Sequence, residues 1–118
     1  MDFTLAIECL RQFARERDWD QFHTPKNLVM ALAGEVGELT ELFQWLTPDQ
    51  SLNIMQELTK AEAVRDELAD IFSYCLRLAD ILGVDLEAAF TAKLAKNAGK
   101  YPVHLAKGNA AKYTELKP

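Results

Sequence analysis

Residues 28–42 read LVMALAGEVGELTEL, and this stretch decides the fold class. Positions 28, 32, 35, 39 and 42 follow alternating spacings of four and three, which places them on one face of an α-helix. One position on this face is Glu35, between Leu32 and Leu39, and Glu38 follows one turn later on an adjoining face. The stretch therefore predicts a helix that packs through an apolar stripe interrupted by an acid.

Residues 64–81 repeat this arrangement and read VRDELADIFSYCLRLADI. Positions 64, 67, 71, 74, 78 and 81 form the packing stripe, in which Glu67 stands among apolar side chains and a tyrosine. Asp70 follows three residues later and therefore lies beside Glu67 on the helix surface. A carboxylate between packed helices loses hydration worth several kcal/mol unless something compensates its charge. Few basic residues share either stripe, so compensation by the chain itself is not expected.

The four acids predict a metal site if the two helices pack against each other in opposite directions. They are Glu35, Glu38, Glu67 and Asp70. Ligands that are all oxygen suit Mg²⁺, with Mn²⁺ as a substitute, and do not suit zinc. Pairs of acids three residues apart are also common on solvated helix faces. The residues alone therefore leave two interpretations open, a metal site or a solvated surface.

The rest of the chain predicts two further long helices and no strand. The four predicted helices span about residues 3–17, 24–45, 59–82 and 85–100. Thr24 followed by Pro25 is typical of a helix start. Thr59 opens a predicted capping box with Glu62, and Gly83 is a typical helix stop. These signals predict an all-α protein.

The predicted organisation is a single domain over residues 1–118. Its helical core covers about residues 3–100, and residues 104–118 form a polar C-terminal tail. Residues 48–58 are ambiguous and fit either a loop or a short helix. Asp85 is expected to cap the fourth long helix.

Composition and the absence of several motifs exclude a number of functions. The net charge of −5 argues against a nucleic acid polymer as partner. Cys9 and Cys75 are far apart and lie in apolar helical patterns, so we expect buried thiols and a cytoplasmic protein. No signal peptide is expected, and the longest apolar run is too short for a membrane span. Glu-x-x-His pairs, Gly-rich phosphate loops and nucleophile triads are missing from the sequence.

Two segments resemble the divided metal motif of the MazG-like all-α pyrophosphohydrolases. They are GEVGELTEL at residues 34–42 and DELAD at residues 66–70. The resemblance to the dCTP pyrophosphatase branch extends to RDWDQFH at 17–23, LFQW at 42–45, KYPVHLA at 100–106 and KYTEL at 112–116. Gly34 departs from the broader family, which often has a glutamate there. This departure leaves fewer acids for additional metal ions.

The resemblance implies a four-helix bundle assembled as a homo-oligomer, usually a homotetramer whose active sites are completed by neighbouring subunits. It implies that a small-molecule deoxynucleoside triphosphate is cleaved to the monophosphate and pyrophosphate, as nucleotide-pool housekeeping. The expected substrates are dCTP and 5-modified dCTP. Mg²⁺ would be held by Glu35, Glu38, Glu67 and Asp70. Water is the nucleophile, and Glu38 or Glu41 would orient or deprotonate it.

The expected substrate-binding residues fall into three groups. Lys93, Asn97 and Lys100 share one face of the fourth helix and would bind phosphates, although they also fit a solvated face. Tyr74 would pack on the sugar or belong to the core. The base-site candidates are Trp19, Phe22, His23 and Trp45, which by themselves also fit hydrophobic caps of helix ends. With the resemblance, Trp19, His23 and Trp45 are favoured as base-pocket residues.

Two alternatives to dCTP hydrolysis stay open at this point. The same class of enzyme would act on dUTP or on damaged purine nucleotides if the base preference differs. A non-catalytic helical interaction module would use the acids only for solubility.

Overall fold

The computed structural model describes residues 2–118 and contains six α-helices, three 3₁₀ turns and no strand in that range. The α-helices are α1 (Thr4–Glu16), α2 (Pro25–Phe43), α3 (Pro48–Leu52), α4 (Leu58–Leu82), α5 (Leu86–Lys100) and α6 (Val103–Ala106). The 3₁₀ turns are Asp20–Phe22, Ile54–Gln56 and Tyr113–Glu115. The predicted all-α class is confirmed. The predicted count of four helices is wrong, because the short helices α3 and α6 add to the four long ones.

Three helix ends follow the predicted local signals. The hydroxyl oxygen of Thr24 accepts a hydrogen bond from the Asn27 backbone N–H at 3.2 Å, and α2 then begins at Pro25. The Asp85 carboxylate caps α5 in the same way. Gly83 ends α4 with a φ of 68°, a left-handed conformation that glycine adopts without a steric penalty.

The segment between α2 and α4 differs from the prediction at two points. Thr47 and Gln50 form a reciprocal capping box. The segment at residues 48–58, which fitted either a loop or a short helix, therefore begins with the helix α3. The predicted capping box at Thr59 is wrong. The Glu57 carboxylate accepts hydrogen bonds from the backbone N–H groups of Thr59 and Lys60, so α4 begins before Thr59.

The chain divides into two compact units, and the larger comprises Asp2–Val84. Within it α4 is the central helix, because both α2 and α1 pack against it. The buried apolar residues of this unit are Ala14, Leu28, Ile54, Ala61, Val64, Leu76 and Ala79. The expectation that both cysteines are buried is wrong for Cys9, which is exposed on α1, whereas Cys75 is half-buried.

The smaller unit, Asp85–Pro118, contains α5, α6 and the last 3₁₀ turn. Pro102 follows the end of α5 and is the N-cap residue of α6. The predicted polar tail starts at residue 104 and therefore begins within α6. The rings of Tyr101 and Tyr113 meet edge to face, with centroids 6.1 Å apart. Whether 1–118 is one domain stays a prediction.

Several large apolar side chains of the larger unit are exposed. Trp45 is 87% exposed, Leu58 85% and Leu52 82%. Burial of these three side chains against another surface would be favourable, because each would remove a large apolar area from water. Among residues 2–118, no helix has both the length and the apolar character needed to cross a membrane.

Candidate active site

Helices α2 and α4 bring three of the four predicted metal ligands together. One carboxylate oxygen each from Glu35, Glu38 and Glu67 lies within 4.8 Å of the others. Glu35 and Glu67 are half-buried because each occupies a packing stripe, while Glu38 is exposed. Asp70 is not part of this group of three, although it lies one turn beyond Glu67 on α4.

The acid cluster lacks positive charge. The Oε2 atoms of Glu35 and Glu67 are buried and have no hydrogen-bond partner. The close approach of the Glu35 carboxylate, which favours a proton shared with Glu67, then desolvation and the negative charge of Glu38, raise the pKa of Glu67 to about 7. Arginine side chains form ion pairs with Glu16, Asp20 and Asp80, and no ion pair to the four acids is found in residues 2–118. Orphaned carboxylate oxygens without basic partners fit a hard divalent cation.

A cavity of about 370 Å³ adjoins the acids. Its lining residues are Leu10, Phe13, Trp19, Glu35, Asp70, Ser73, Tyr74 and Arg77. The four that α4 contributes are spaced at i, i+3, i+4 and i+7 and therefore share one helix face. Desolvation, followed by the charges of Glu35 and Asp70, raises the pKa of the Tyr74 phenol. The cavity thus joins an acidic region to an aromatic one.

The aromatic wall depends on a tight turn after α1. Asp18 has a φ of 55°, a left-handed conformation that aspartate tolerates better than most residues. The turn lets the backbone N–H of Trp19 donate to the Ala14 carbonyl at 2.9 Å. Trp19 then meets Phe13 edge to face, with ring centroids 5.7 Å apart. The strained residue therefore positions an aromatic surface at the cavity.

Of the four side chains predicted to contact the base or the sugar, two line the cavity and two do not. Trp19 and Tyr74 line the cavity, as described above. His23 does not line it; its ring lies beside Trp19, and its Nδ1 accepts a hydrogen bond from Arg77 Nε at 3.1 Å. Trp45 follows the end of α2, is almost fully exposed and does not line this cavity either.

Arg77 was not predicted as a site residue. It is 7% exposed, and its Nη2 donates to Asp20 Oδ1 at 2.6 Å. Its Nη1 lies 3.6 Å from Asp80 Oδ2. Its position seven residues after Asp70 places it on the same helix face, but its partners Asp20 and His23 lie 57 and 54 residues earlier in the chain, so no local pattern marks it.

The remaining predicted residues lie outside the group of three carboxylates. Glu41 is exposed on α2 and is not part of the group of three carboxylates. Lys93, Asn97 and Lys100 lie on α5, in the smaller unit, where Asn97 is half-buried and both lysines are exposed. The Lys100 ammonium lies 4.7 Å above the Tyr113 ring, a cation–π contact. The roles of these four residues stay predictions.

Comparison with known proteins places the chain in a family. It is 48% identical over 105 residues to dCTP pyrophosphatase 1 of Bos taurus and 47% identical to that of Homo sapiens. These alignments cover 89% of this chain but 62% of each relative, so the chain spans less than two thirds of their length.

Solved structures and a family profile agree with this result. A crystal structure of a pyrophosphatase from Archaeoglobus fulgidus matches with a TM-score of 0.79 and 35% identity. The match covers 85% of this chain and 92% of that one. The profile of the MazG-like family matches residues 30–116, which include the acids of both α2 and α4. This chain belongs to the MazG-like family.

Proposed function

We propose that this chain is a Mg²⁺-dependent nucleoside triphosphate pyrophosphohydrolase that converts dCTP and 5-modified dCTP to the monophosphate and pyrophosphate. The observation that carries the proposal is the cavity in which Glu35 and Asp70 adjoin Trp19 and Tyr74. It combines uncompensated carboxylates with an aromatic surface, as a metal-bound nucleotide requires. The names of the relatives, dCTP pyrophosphatase 1 and pyrophosphatase, support the same reaction.

The metal ligands in this proposal are Glu35, Glu38, Glu67 and Asp70. Mg²⁺ is favoured because the donor set is all oxygen, and Mn²⁺ is the expected substitute. When bound, the ion would supply Lewis-acid stabilisation of the charge that develops on the leaving pyrophosphate. The orphaned oxygens of Glu35 and Glu67 are the observation that supports this ligand set. The glycine at position 34 limits the number of further acids nearby.

The chain's own carboxylates also provide the base for the attacking water. Glu38 is the exposed member of the cluster, so a water molecule reaches it readily. Glu41 lies three residues further along α2 and is exposed as well. Either carboxylate would orient the water or take its proton at an oxygen atom. Separate Glu38→Gln and Glu41→Gln variants distinguish the two.

The aromatic part of the cavity suits the nucleoside. Trp19 offers a face on which a base stacks, an interaction worth ~1–3 kcal/mol per base. Tyr74 lies one turn beyond Asp70 and would contact the deoxyribose. A methyl group or halogen at C5 of the base would gain ~0.8 kcal/mol for each buried methylene-sized group. Lys93, Asn97 and Lys100 on α5 remain the proposed phosphate-binding residues.

We also propose a homotetramer that acts on the cytoplasmic nucleotide pool. The exposed Trp45, Leu52 and Leu58 support assembly, because subunit contacts would cover them. In an oligomer, Trp45 and His23 would take part in a base pocket completed by a neighbouring subunit. Size-exclusion chromatography with light scattering measures the mass directly. A fully active monomer at micromolar concentration would contradict the oligomer and leave the reaction unaffected.

The test of function compares kcat/KM for dCTP, 5-methyl-dCTP, CTP, dTTP, dUTP and dATP with Mg²⁺ present. We expect dCTP and 5-methyl-dCTP to lead, with pyrophosphate and the monophosphate as products. A lead by dUTP or by a damaged purine nucleotide would support the second substrate class. Release of orthophosphate in place of pyrophosphate would contradict the proposed cleavage site. A non-catalytic module would show no product and no nucleotide-dependent change in melting temperature.

A further inference from the structure

The segment 17–23, which we call the Trp19 turn, is held only weakly by apolar burial. Every residue from 17 to 22 is exposed, and His23 is half-buried. The ring contact of Trp19 with Phe13 joins the turn to α1, not to α4. Trp19 nevertheless lines the same cavity as Tyr74 of α4. Polar contacts must therefore contribute to holding the turn against α4.

Arg77 of α4 makes two hydrogen bonds to the Trp19 turn. Its Nη2 donates to Asp20 Oδ1 at 2.6 Å, and its Nε donates to His23 Nδ1 at 3.1 Å. Asp20 directly follows Trp19, and His23 lies four residues after it. The His23 ring also lies beside the Trp19 ring, with centroids 6.2 Å apart. Arg77 thus binds the chain at two points close to Trp19.

Backbone hydrogen bonds connect these two points to Trp19 itself. The Trp19 carbonyl accepts from the backbone N–H groups of Phe22 and His23 at 2.8 and 3.2 Å. On its other side, the backbone N–H of Trp19 donates to the carbonyl of Ala14, which is buried on α1. Both peptide groups of Trp19 are therefore engaged. A contact that fixes Asp20 and His23 also fixes the backbone that carries the Trp19 side chain.

The guanidinium group of Arg77 is committed to protein partners. Its third nitrogen, Nη1, lies 3.6 Å from Asp80 Oδ2, and Arg11 of α1 donates to the same oxygen at 2.7 Å. Asp20 and Asp80 line a second cavity of about 300 Å³ and do not line the one that contains Trp19. The charged end of Arg77 is thus directed at the partners that hold it. This arrangement suits a structural link better than a contact with a ligand.

We propose that Arg77 is a positioning residue, which holds Trp19 at the cavity by binding Asp20 and His23 and does not contact the substrate. The expected effect on nucleotide binding rests on the proposed function, whereas the link between α4 and the turn requires no ligand. Release of the turn would let the Trp19 ring leave the cavity. The loss would then fall on binding of the nucleoside, and the carboxylates of the acid cluster would be unaffected.

Asp20→Ala and Arg77→Met break the link from its two sides without leaving a buried charge unpaired. After Asp20→Ala, Arg77 keeps Asp80. After Arg77→Met, Asp80 keeps Arg11, and the Asp20 side chain is 56% exposed. Both variants should therefore fold. Arg11→Met is the matched control, because Arg11 binds the same Asp80 while its hydrogen bonds found within residues 2–118 do not reach the turn.

The first measurement is the Kd of α,β-imido-dCTP with Mg²⁺, an analogue in which the bond to be cleaved is replaced. Asp20→Ala and Arg77→Met should raise this Kd about tenfold, within the range for loss of one stacked base. Their kcat for dCTP at saturation should change less than about twofold. Asp20→Asn keeps an acceptor oxygen and should give an intermediate Kd, and Arg11→Met should match the wild type. A lower kcat with an unchanged Kd would overturn the proposal.

A double-variant cycle distinguishes one shared link from two separate contacts. Asp20→Ala combined with Arg77→Met should bind the analogue no more weakly than Arg77→Met alone, because Asp20 then has no link left to lose. If the two losses multiply to about a hundredfold, Asp20 and Arg77 act independently and the proposal is wrong.

The mobility of Trp19 tests the link without any nucleotide. The chain has two tryptophans, so Trp45→Phe leaves Trp19 as the one reporter. Time-resolved fluorescence anisotropy measures motion of its ring on the nanosecond scale. The amplitude of this motion should increase in Asp20→Ala and Arg77→Met and stay unchanged in Arg11→Met. An unchanged amplitude in Arg77→Met would refute the proposal whatever the protein hydrolyses. Increased motion in a protein that cleaves no triphosphate would support the link and contradict only the proposed function.

Discussion

Helix α4 carries two groups of charges that differ in how they are compensated. At Glu67, three carboxylates approach one another without a basic partner, and the pKa of Glu67 rises to about 7. At Asp80, hydrogen bonds from Arg11 and the nearby Arg77 charge hold the pKa of the carboxyl below its ordinary value. Both acids are on the same helix, so the helix itself does not account for the difference.

The comparison shows where a ligand is required. The acids at Glu67 gain stability only from a cation that the chain does not contain. The acids at Asp80 are already satisfied, so that region is ordered before any ligand binds. One region of α4 therefore depends on an ion, and the other is compensated by the chain's own arginines. The following predictions test this division.

The largest expected effect is at the acid cluster. Glu35→Gln, Glu38→Gln, Glu67→Gln and Asp70→Asn should each lower kcat by at least ~10²-fold, the scale of lost preorganised charge stabilisation. Pyrophosphate release at saturating dCTP and increasing Mg²⁺ is the measurement. Glu62→Gln, an exposed position of the same helix, is the control and should retain wild-type activity. Wild-type rates in EDTA would refute the metal requirement.

The acid cluster was predictable from sequence because it violates a local pattern. Glu35 and Glu67 interrupt apolar stripes whose spacing is visible in the chain itself. Arg77 gave no comparable signal, because its partners Asp20 and His23 precede it by 57 and 54 residues and only folding brings them close. The long helices were predictable for the same local reason, since caps such as Thr24 and Gly83 act within a few residues.

Features that depend on competition between neighbours were predicted less well. Thr59 and Glu57 both offer caps for α4, and the Glu57 carboxylate wins by accepting two N–H groups. The turn at Asp18 that directs Trp19 towards the cavity has no glycine to announce it. The exposure of Cys9 depends on which residues of α1 meet α4. No local spacing determines that choice.

The second effect concerns Tyr74, which lies between the two charged regions. If it packs on the deoxyribose, a 2′-hydroxyl would be buried without a partner, at a cost of ~1–3 kcal/mol. Tyr74→Ala should therefore narrow the gap in kcat/KM between dCTP and CTP by roughly ten- to a hundredfold. Tyr74→Phe keeps the ring and should preserve the gap. Trp45→Ala, by contrast, should weaken all substrates alike.

The third prediction concerns the free energy of unfolding of the metal-free protein. Substitutions in the two charged regions of α4 should change it in opposite directions. Asp80→Asn removes charged hydrogen bonds to Arg11 and should lower the free energy of unfolding by about 1–3 kcal/mol. Glu67→Gln relieves carboxylate repulsion and should raise the free energy of unfolding. Urea denaturation in EDTA measures both. A loss of stability in Glu67→Gln equal to that in Asp80→Asn would show that the acid cluster is compensated after all.

The smallest expected effect is the pH dependence of the metal-free protein. The pKa of Glu67 is about 7 in the folded protein against an ordinary value of 4.5, so the folded state binds the proton more tightly. Its contribution to stability is complete below about pH 4.5 and is lost as the pH rises through about 7. The contribution of Glu67 to the melting temperature in EDTA should therefore fall between about pH 4.5 and pH 7 and level off above that range.

A second group titrates nearby and sets the control for this measurement. Burial, then the charge of Arg77, lowers the pKa of His23, so its effect on stability has the opposite sign and ends near the unfolded value of about 6.5. The Asp80 contribution is constant in this range, because its pKa lies below 3.8. The difference in melting temperature between the wild type and Glu67→Gln cancels both contributions. That difference should change between about pH 4.5 and pH 7, and its pH dependence should vanish with saturating Mg²⁺ only if the ion replaces the proton at Glu67. A difference that is flat with pH in EDTA would mean that Glu67 is ionised throughout and that the comparison with Asp80 does not hold.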